Sequence, residues 1–341
     1  MTTRTAMPSG SDGGDCSLSD GPRRSARRAP GTALVATVAL LAAAVLSSHD
    51  SEPSPATQAP PSGQLRVLTW NICGEAGGRR GTTGYCPYRN DPAAKVQEIV
   101  KAMAEHQADA VALQEICGGA PGSHASMLTT ALGPRWSVRA AAGSRPDGTS
   151  ACRGGLKGRL GVAVAVRGKI TSSTTSESLP ASPRTNKDSK PLLCVTVAKW
   201  SYGLCTIHIL PGADPRVPSQ VRQVAGDVLK TGRPVVLAGD FNRNSRAAEL
   251  APLDRDFTEC RRWGDGTPAA PTFHRWDIST GRHVFHTLDH VYVHTAGGFP
   301  ARFASCGVDH ERMDTTRNTT DAPPPSGQSD HAPVHVVVRG R

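Results

Sequence analysis

The segment Val235-Val236-Leu237-Ala238-Gly239-Asp240-Phe241-Asn242 constrains the fold more than any other stretch of this chain. Its four leading apolar residues read as a short buried strand. Gly239 interrupts the run, and a carboxylate and an amide follow one residue apart. In an extended chain, positions i and i+2 point to the same side. Asp240 and Asn242 are therefore expected to project together from the end of a buried strand. Oxygen ligands on a rigid element suit Mg²⁺ or Ca²⁺, and amides orient phosphate oxygens. A strand followed by an ordinary turn accounts for the same letters, so the rest of the chain decides.

Charge and cysteine usage narrow the setting. The formal net charge is +10, and residues 1–49 hold five Arg against three Asp, so most of the excess lies in the remainder. Such a balance favours a polyanionic partner, with a solvated basic surface as the plain alternative. Of nine cysteines, Cys16 stands alone near the start, and Cys73, Cys86, Cys117, Cys152, Cys194, Cys205, Cys260 and Cys306 follow an apolar run. An even set beyond an export signal implies disulfides in an oxidising compartment, and the lack of any C-x-x-C argues against a zinc knuckle. Sequence leaves the connectivity open. Sequential pairing is preferred, most firmly for Cys194 with Cys205, because a tight turn near Lys199–Tyr202 folds their two β-rich runs face to face.

Residues 1–29 are polar and end in the cluster Arg23-Arg24-Ser25-Ala26-Arg27-Arg28; an apolar run follows from about Ala33 to Leu46. Residues 30–48 are read as a signal peptide or an N-terminal membrane anchor, with 1–29 as its basic, cytoplasmic flank. The chain after Ser47 is then secreted or otherwise extracytoplasmic, and it meets a membrane only through the N-terminal segment if that is not cleaved. Residues 49–63, rich in Ser, Pro, Ala and Gln, are a disordered linker. Residues 64–341 are the folded domain, expected to be a monomer.

Within that domain, period-2 apolar patterns predict strands at Leu65–Trp70, Ala108–Leu113, Trp136–Ala141, Leu160–Val166, Leu192–Ala198, Leu204–Ile209, Leu288–Val293 and Val334–Val338. Helical spacing predicts helices after Asp91-Pro92, over Ser123–Leu132 and over Val217–Lys230. Residues 171–190 and 307–328 read as polar loops, and 243–287 as irregular. Several strands end in a residue able to serve a metal or a phosphate: Asn71, Glu115, His208, Asp240 with Asn242, Asp289, and Asp330 with His331 just before the last strand. Strand ends along one sheet edge converge on a cleft, where function concentrates. Taken singly, each is more often a turn former, a surface carboxylate or an ion-pair partner.

In order, T-W-N (69–71), Q-E (114–115), I-H (207–208), G-D-F-N (239–242), L-D-H-V (288–291) and S-D-H-A-P-V (329–334) resemble the endonuclease/exonuclease/phosphatase superfamily, which includes pancreatic-type deoxyribonucleases. The resemblance implies a four-layer α/β (α+β) sandwich of two packed mixed β-sheets flanked by helices. It implies Glu115 as main metal ligand, with Asn71 close by and Asp330 contributing. Asp240 and Asn242 hold the attacking water, a metal or the scissile phosphate. His331 is the general base or shares the water's proton with Asp240, and Asp289 fixes its tautomer. His208 donates to a phosphoryl oxygen or helps the leaving group. Some deoxyribonucleases pair that histidine with a Glu of an earlier strand; here 154–160 offers Lys157 and Arg159 instead. Mg²⁺ is the expected cofactor, with Mn²⁺ or Ca²⁺ as alternatives.

Arg159 and Arg243, in loops near the strand ends, join Asn242 as expected substrate contacts, since cations around a phosphate-cleaving cleft suit a nucleic-acid backbone. The sequence thus predicts an exported, metal-dependent phosphodiesterase acting on DNA, with RNA as a further candidate substrate. The alternatives are a phospholipase C-type or phosphatase hydrolase of phospholipids or small phosphate esters, and a non-catalytic nucleic-acid-binding protein. No exposed apolar hairpin of the kind sphingomyelinase-like members use on membranes is expected, because the loops read as polar and basic.

Overall fold

Side-chain alternation along β1 (Gln64–Asn71) sets the architecture: Leu65 and Val67 join one buried cluster, Leu68 and Trp70 another. A strand apolar on both faces must be covered on both. The computed structural model describes residues 63–74, 78–177, 187–260, 270–295 and 301–339. The N-terminal flank, the apolar run and nearly all of the linker lie outside the described residues.

After β1 come α1 (Pro92–Glu105), β2 (Ala110–Gly118), α2 (His124–Leu132), β3 (Trp136–Ala142), β4 (Arg159–Arg167), β5 (Ile170–Glu177), β6 (Pro191–Val197) and β7 (Gly203–His208). The chain continues through α3 (Val217–Leu229), β8 (Val235–Asp240), α4 (Ala251–Asp256), β9 (Thr258–Glu259), β10 (Phe273–Asp277), β11 (Arg282–His286), β12 (Asp289–His294), β13 (Phe303–Val308) and β14 (Val334–Arg339). One six-stranded sheet runs β13-β14-β1-β2-β4-β3 and the other β5-β6-β7-β8-β12-β9. Both are mixed: β1 with β2 and β7 with β8 are parallel, and the other ladders are antiparallel.

Between the sheets, Val67, Ala112 and Val164 meet Val195, Val236 and Val291. On the outer face of the first sheet, Leu68, Trp70 and Leu113 pack on Val96, Ile99 and Met103 of α1 and Leu128 of α2. On the outer face of the second, Ile207 and Leu237 pack on Val221, Val224 and Val228 of α3. The order is helix, sheet, sheet, helix, the sandwich that the resemblance implied. Asp91 caps α1 by accepting from the Ala94 amide at 2.9 Å, with Pro92 in the first turn.

The eight cysteines pair sequentially as Cys73–Cys86, Cys117–Cys152, Cys194–Cys205 and Cys260–Cys306. Cys194 and Cys205 lie directly opposite in the β6–β7 ladder.

Three expectations need correction. Residues 170–177, expected within a loop, form β5. This edge strand pairs only with β6, so its solvent side tolerates Ser and Thr, and β-branched Thr suits a pleated edge. The region 243–287 is more ordered than its composition suggested, with α4, β9 and the two-stranded hairpin β10–β11. That hairpin also exposes apolar side chains, Ile278 and Phe285, each 46% accessible, against the expectation of wholly polar loops.

Candidate active site

The same alternation that fills the sandwich delivers polar side chains to its rim. On β8, Val236 and Ala238 point between the sheets, and Asp240 is next on that face. On β1 the row Leu65, Val67 reaches Asn71; on β7 the row through Leu204 reaches His208; on β12 Asp289 precedes Val291 and Val293. His208 and Asp289 are the register partners of Asp240 on either side. Just beneath, Gln114 Nε2 donates to Thr69 Oγ1 (3.2 Å) and Thr206 Oγ1 (3.0 Å), a polar layer joining the two sheets under the site. Gly239 is required here, because a Cβ would lie 2.1 Å from the Ile207 carbonyl oxygen of β7.

Asp240 is the hub. Its Oδ2 accepts from Asn71 Nδ2 at 3.0 Å and lies 3.4 Å from His208 Nε2 and 3.7 Å from His331 Nε2. Its Oδ1 accepts from the Asn242 amide at 2.8 Å. Asn242 does not continue the strand, as the i, i+2 argument required. It turns at φ 49°, and its own Nδ2 donates to the Ile209 carbonyl at 2.9 Å, so the pair is linked through an Asx-type turn.

Glu115 reaches the site by a distortion. By parity it belongs to the outer face of β2, but the ladder with β4 shifts between Gln114 and Ile116, and Glu115 takes φ 52°. The bulge swings its carboxylate inward, where Oε1 accepts from Asn71 Nδ2 at 3.2 Å. Cys73 (φ 47°), Glu115 and Asn242 are all non-glycine residues in the left-handed region at adjoining strand ends. Such strain persists where the surroundings enforce it, and it clusters at functional sites. Asn71 presents its Nδ2 to both carboxylates, and its Oδ1 accepts from the Cys73 amide.

His331 Nδ1 lies 2.8 Å from Asp289 Oδ2, and its ring is fixed from the other side by Phe273 at 4.8 Å. Its backbone carbonyl accepts from Trp70 Nε1 at 2.9 Å. Burial opposes a charge on His331, but Asp289 and Asp240 overcome it and hold the imidazole protonated well above its ordinary pKa. Burial pushes Asp240 up to about 7, with the neighbouring Asp289 charge adding to it and His331 opposing. Burial likewise raises Asp330 to about 6, where Glu115 adds and His331 and Lys95 oppose. His208 is driven well below 6.5 by burial, then by Lys190 and His331, so it is a neutral imidazole at neutral pH.

Of the expected substrate contacts, Arg243 turns inward: its guanidinium binds Glu249 at 3.2 Å and the carbonyl of Asn242 at 2.7 Å, and the residue is buried. Arg159 begins β4 and is exposed. The cations that line the cleft beside Glu115 and His208 are instead Arg145, Arg153 and Lys190, around a cavity of about 210 Å³. A larger cavity, about 810 Å³, opens at Asp330.

Sequence reasoning also passed over Lys95. Buried in α1, its Nζ donates to the Ile72 carbonyl at 2.6 Å and the Gln328 carbonyl at 2.8 Å, tying together the segments that carry Asn71 and Asp330. His290 is buried and bridges Glu259 Oε1 (2.6 Å) to the Arg243 carbonyl (2.8 Å).

The donor set suits a hard divalent cation. Ligand atoms of Asp240, Asp289 and His331 lie within 4.8 Å of one another; His331, held protonated, has no free lone pair, so the carboxylates carry the affinity, and Asp289 Oδ1 is buried without a hydrogen-bond partner among the described residues. Burial, more than neighbouring charge, raises the pKa values of Asp240 and Asp330, so a cation that neutralises these buried carboxylates is favoured. Cys73 and Cys86 also approach Asp330, but their sulfurs are joined to each other.

A sequence model described as the endonuclease/exonuclease/phosphatase family matches residues 68–331. Among curated protein sequences nothing matches this chain. Solved structures with this fold include a family protein from Bacteroides thetaiotaomicron, with TM-score 0.58 and 14% identity over 82% of this chain and 95% of its own. A mannosyl-6-phosphatase from the same species has TM-score 0.56 and 16% identity over 80% and 98%. D. rerio TDP2, complexed with single-strand DNA product, has TM-score 0.53 and 16% identity over 81% and 98%.

Proposed function

Because the chain belongs to the endonuclease/exonuclease/phosphatase family, whose members are phosphoesterase hydrolases, we propose that it is an exported phosphodiesterase cleaving DNA, and RNA with it. The observation that carries this reading is the meeting of Asn71, His208, Asn242 and His331 on one carboxylate, Asp240, beside a cleft lined by Arg145, Arg153 and Lys190. A diester anion entering that cleft meets positive charge, while neutral His208 offers a hydrogen bond to a non-bridging oxygen.

Asp240, with its pKa near neutrality, takes the proton of the attacking water. His331 is already protonated, so its part is to stabilise charge growing on the phosphoryl group, and Asp289 holds it in place. This assigns base and cation in the order opposite to a histidine base. Glu115 and Asp330 would hold the divalent cation, with Asn71 ordering Glu115. When bound, that cation supplies charge neutralisation at the phosphate and a lowered pKa for water. Export rests on the apolar run after a basic cluster and on four disulfides.

One observation favours a second reading: the exposed Ile278 and Phe285 of the β10–β11 hairpin suit contact with a lipid surface, and hence a phospholipid diester. The test is purified protein against supercoiled DNA, RNA and phosphatidylcholine or sphingomyelin liposomes, with Mg²⁺, Mn²⁺ or Ca²⁺. Nicking that EDTA stops, and that Asp240→Asn and His331→Gln each remove, is expected. Release of phosphocholine without any nucleic-acid cleavage overturns the nuclease reading in favour of the second.

A further inference from the structure

The cavity at Asp330 is lined by three separate segments that the structure holds in fixed relation. The first is the loop closed by the Cys73–Cys86 disulfide, which contributes Tyr85 and whose Gly81 amide donates to Asn318 Oδ1 at 2.7 Å. The second is β10, which contributes Phe273 and Trp276. The third is the turn 314–318, organised by Asp314, whose Oδ1 accepts from the amide and hydroxyl of Thr316 and from the Ser326 amide. At about 810 Å³ the cavity falls within the roughly 300–1,000 Å³ of small-molecule sites.

Its position and chemistry differ from those of the cationic cleft. Phe273 pairs by backbone with His331 and stacks near its ring, so the wall of the cavity abuts the reacting centre. The lining combines aromatic rings with hydroxyl and amide groups, and with Asp330 given to the cation its remaining carboxylates, Asp277 and Asp314, stand against Arg275 and against Arg80, whose guanidinium covers one face of Tyr85. A lining so nearly neutral and so aromatic matches a flat, uncharged, hydrogen-bonding group better than a phosphate. With the scissile phosphate at Asp240 and the anionic backbone on the side of Arg145, Arg153 and Lys190, the group left for this cavity is a nucleobase.

We infer that this cavity is a nucleobase subsite, in which the base next to the scissile phosphate stacks on Trp276 and Tyr85. A base paired in a duplex cannot enter it without leaving the helix. The preferred substrate is therefore single-stranded, a conclusion that builds on the nuclease reading above.

Two measurements separate the inference from that reading. Calorimetric titration of the metal-loaded protein with adenosine, and with ribose as control, is expected to show binding of adenosine alone, weakened about tenfold by Trp276→Ala and unaffected by Phe285→Ala on the same hairpin. In cleavage assays, a single-stranded oligonucleotide is expected to exceed the matching duplex in kcat/KM. An abasic residue at the cleavage site should cost about tenfold, and Trp276→Ala should add nothing on the abasic strand. Adenosine binding without cleavage of any nucleic acid supports the subsite and removes the nuclease reading. Cleavage indifferent to strandedness and to the abasic residue, with no adenosine bound, overturns the subsite and leaves the nuclease reading standing. Equal binding of ribose and adenosine also overturns it, in favour of a sugar site.

Discussion

Replacing Lys95 by Met tests the electrostatics of the site directly. Burial lowers the Lys95 pKa from 10.5 to about 7 against the raising influence of Asp330 and Glu115. The depressed folded-state value fixes the sign. Between pH 7 and 10.5 the unfolded chain binds the proton more tightly, so the wild-type protein gains stability as pH rises through that window, and the gain is complete above 10.5. At about 1.36 kcal/mol per pH unit, the side chain costs the fold roughly 4 kcal/mol at pH 7 and about 2 kcal/mol at pH 9. Met has similar length and no charge, and the Ile72 and Gln328 carbonyls lose their donor equally at every pH. The stability difference between wild type and Lys95→Met should therefore move by about 2 kcal/mol in favour of wild type from pH 7 to pH 9. Urea unfolding of both proteins in EDTA, disulfides intact, measures it; titrating groups remote from Lys95 cancel in the difference, and Asp330, whose pKa Lys95 lowers, adds to it in the same direction. A difference constant to within about 0.5 kcal/mol would show that Lys95 keeps its proton throughout, and the picture of an under-compensated buried ammonium would be wrong.

Asp289→Asn leaves His331 Nδ1 beside an amide instead of a carboxylate; kcat should fall by about 10²–10⁴ with the circular dichroism spectrum unchanged. Since Asp240 rises to about 7 and must be ionised to accept a proton, kcat/KM should climb with pH to a plateau, with its midpoint at or below about 7 because a bound cation favours the ionised form. A profile falling through that range would reverse the assigned roles. The Cys260–Cys306 bridge closes a separation of 46 residues and Cys194–Cys205 one of 11. Replacing each pair by Ser should cost about 4 and about 3 kcal/mol respectively in the chain-entropy view, measured by urea midpoints.

How far the sequence foretold this arrangement depends on where each residue's partners lie. The strand at Val235–Asp240 was legible because an apolar run bounded by a forced glycine needs no tertiary information. Strand β5 was not, because its Thr- and Ser-rich letters become a strand only through the ladder that β6 supplies. The disulfide pairing of Cys194 with Cys205 followed from a local hairpin. Glu115 was legible only through the order of motifs, since strand parity alone sends it to the outer face and a bulge brings it back. Lys95 gave no signal, because the carbonyls it binds are 23 and 233 residues away. The cleft cations misled for a related reason: Arg243 looked like a free loop cation, but a short helical turn places Glu249 within reach of it.

The distribution of charge explains why this rim, and not some other part of the sandwich, is suited to phosphoryl chemistry. Asp240, Asp289 and His331 are nearly or wholly removed from water, and Glu115 is half-buried. Against these carboxylates and Asp330, the cations in close contact among the described residues are His331, committed to Asp289 and Asp240, and Lys95, whose pKa of about 7 leaves it only partly charged at pH 7. Lys190, paired with Asp188 at 3.2 Å, and the cleft residues Arg145 and Arg153 stand on the His208 side, where under the proposed function they attract an anion without discharging the carboxylates. A monovalent side chain added at the centre would compensate the rim and leave no attraction for a divalent ion. A rim without His331 would hold the ion and repel the diester. Under the proposed function, a divalent cation and a phosphate bound together balance this arrangement, and that is the condition under which Asp240 would remain ionised beside a second anion and accept a proton from water.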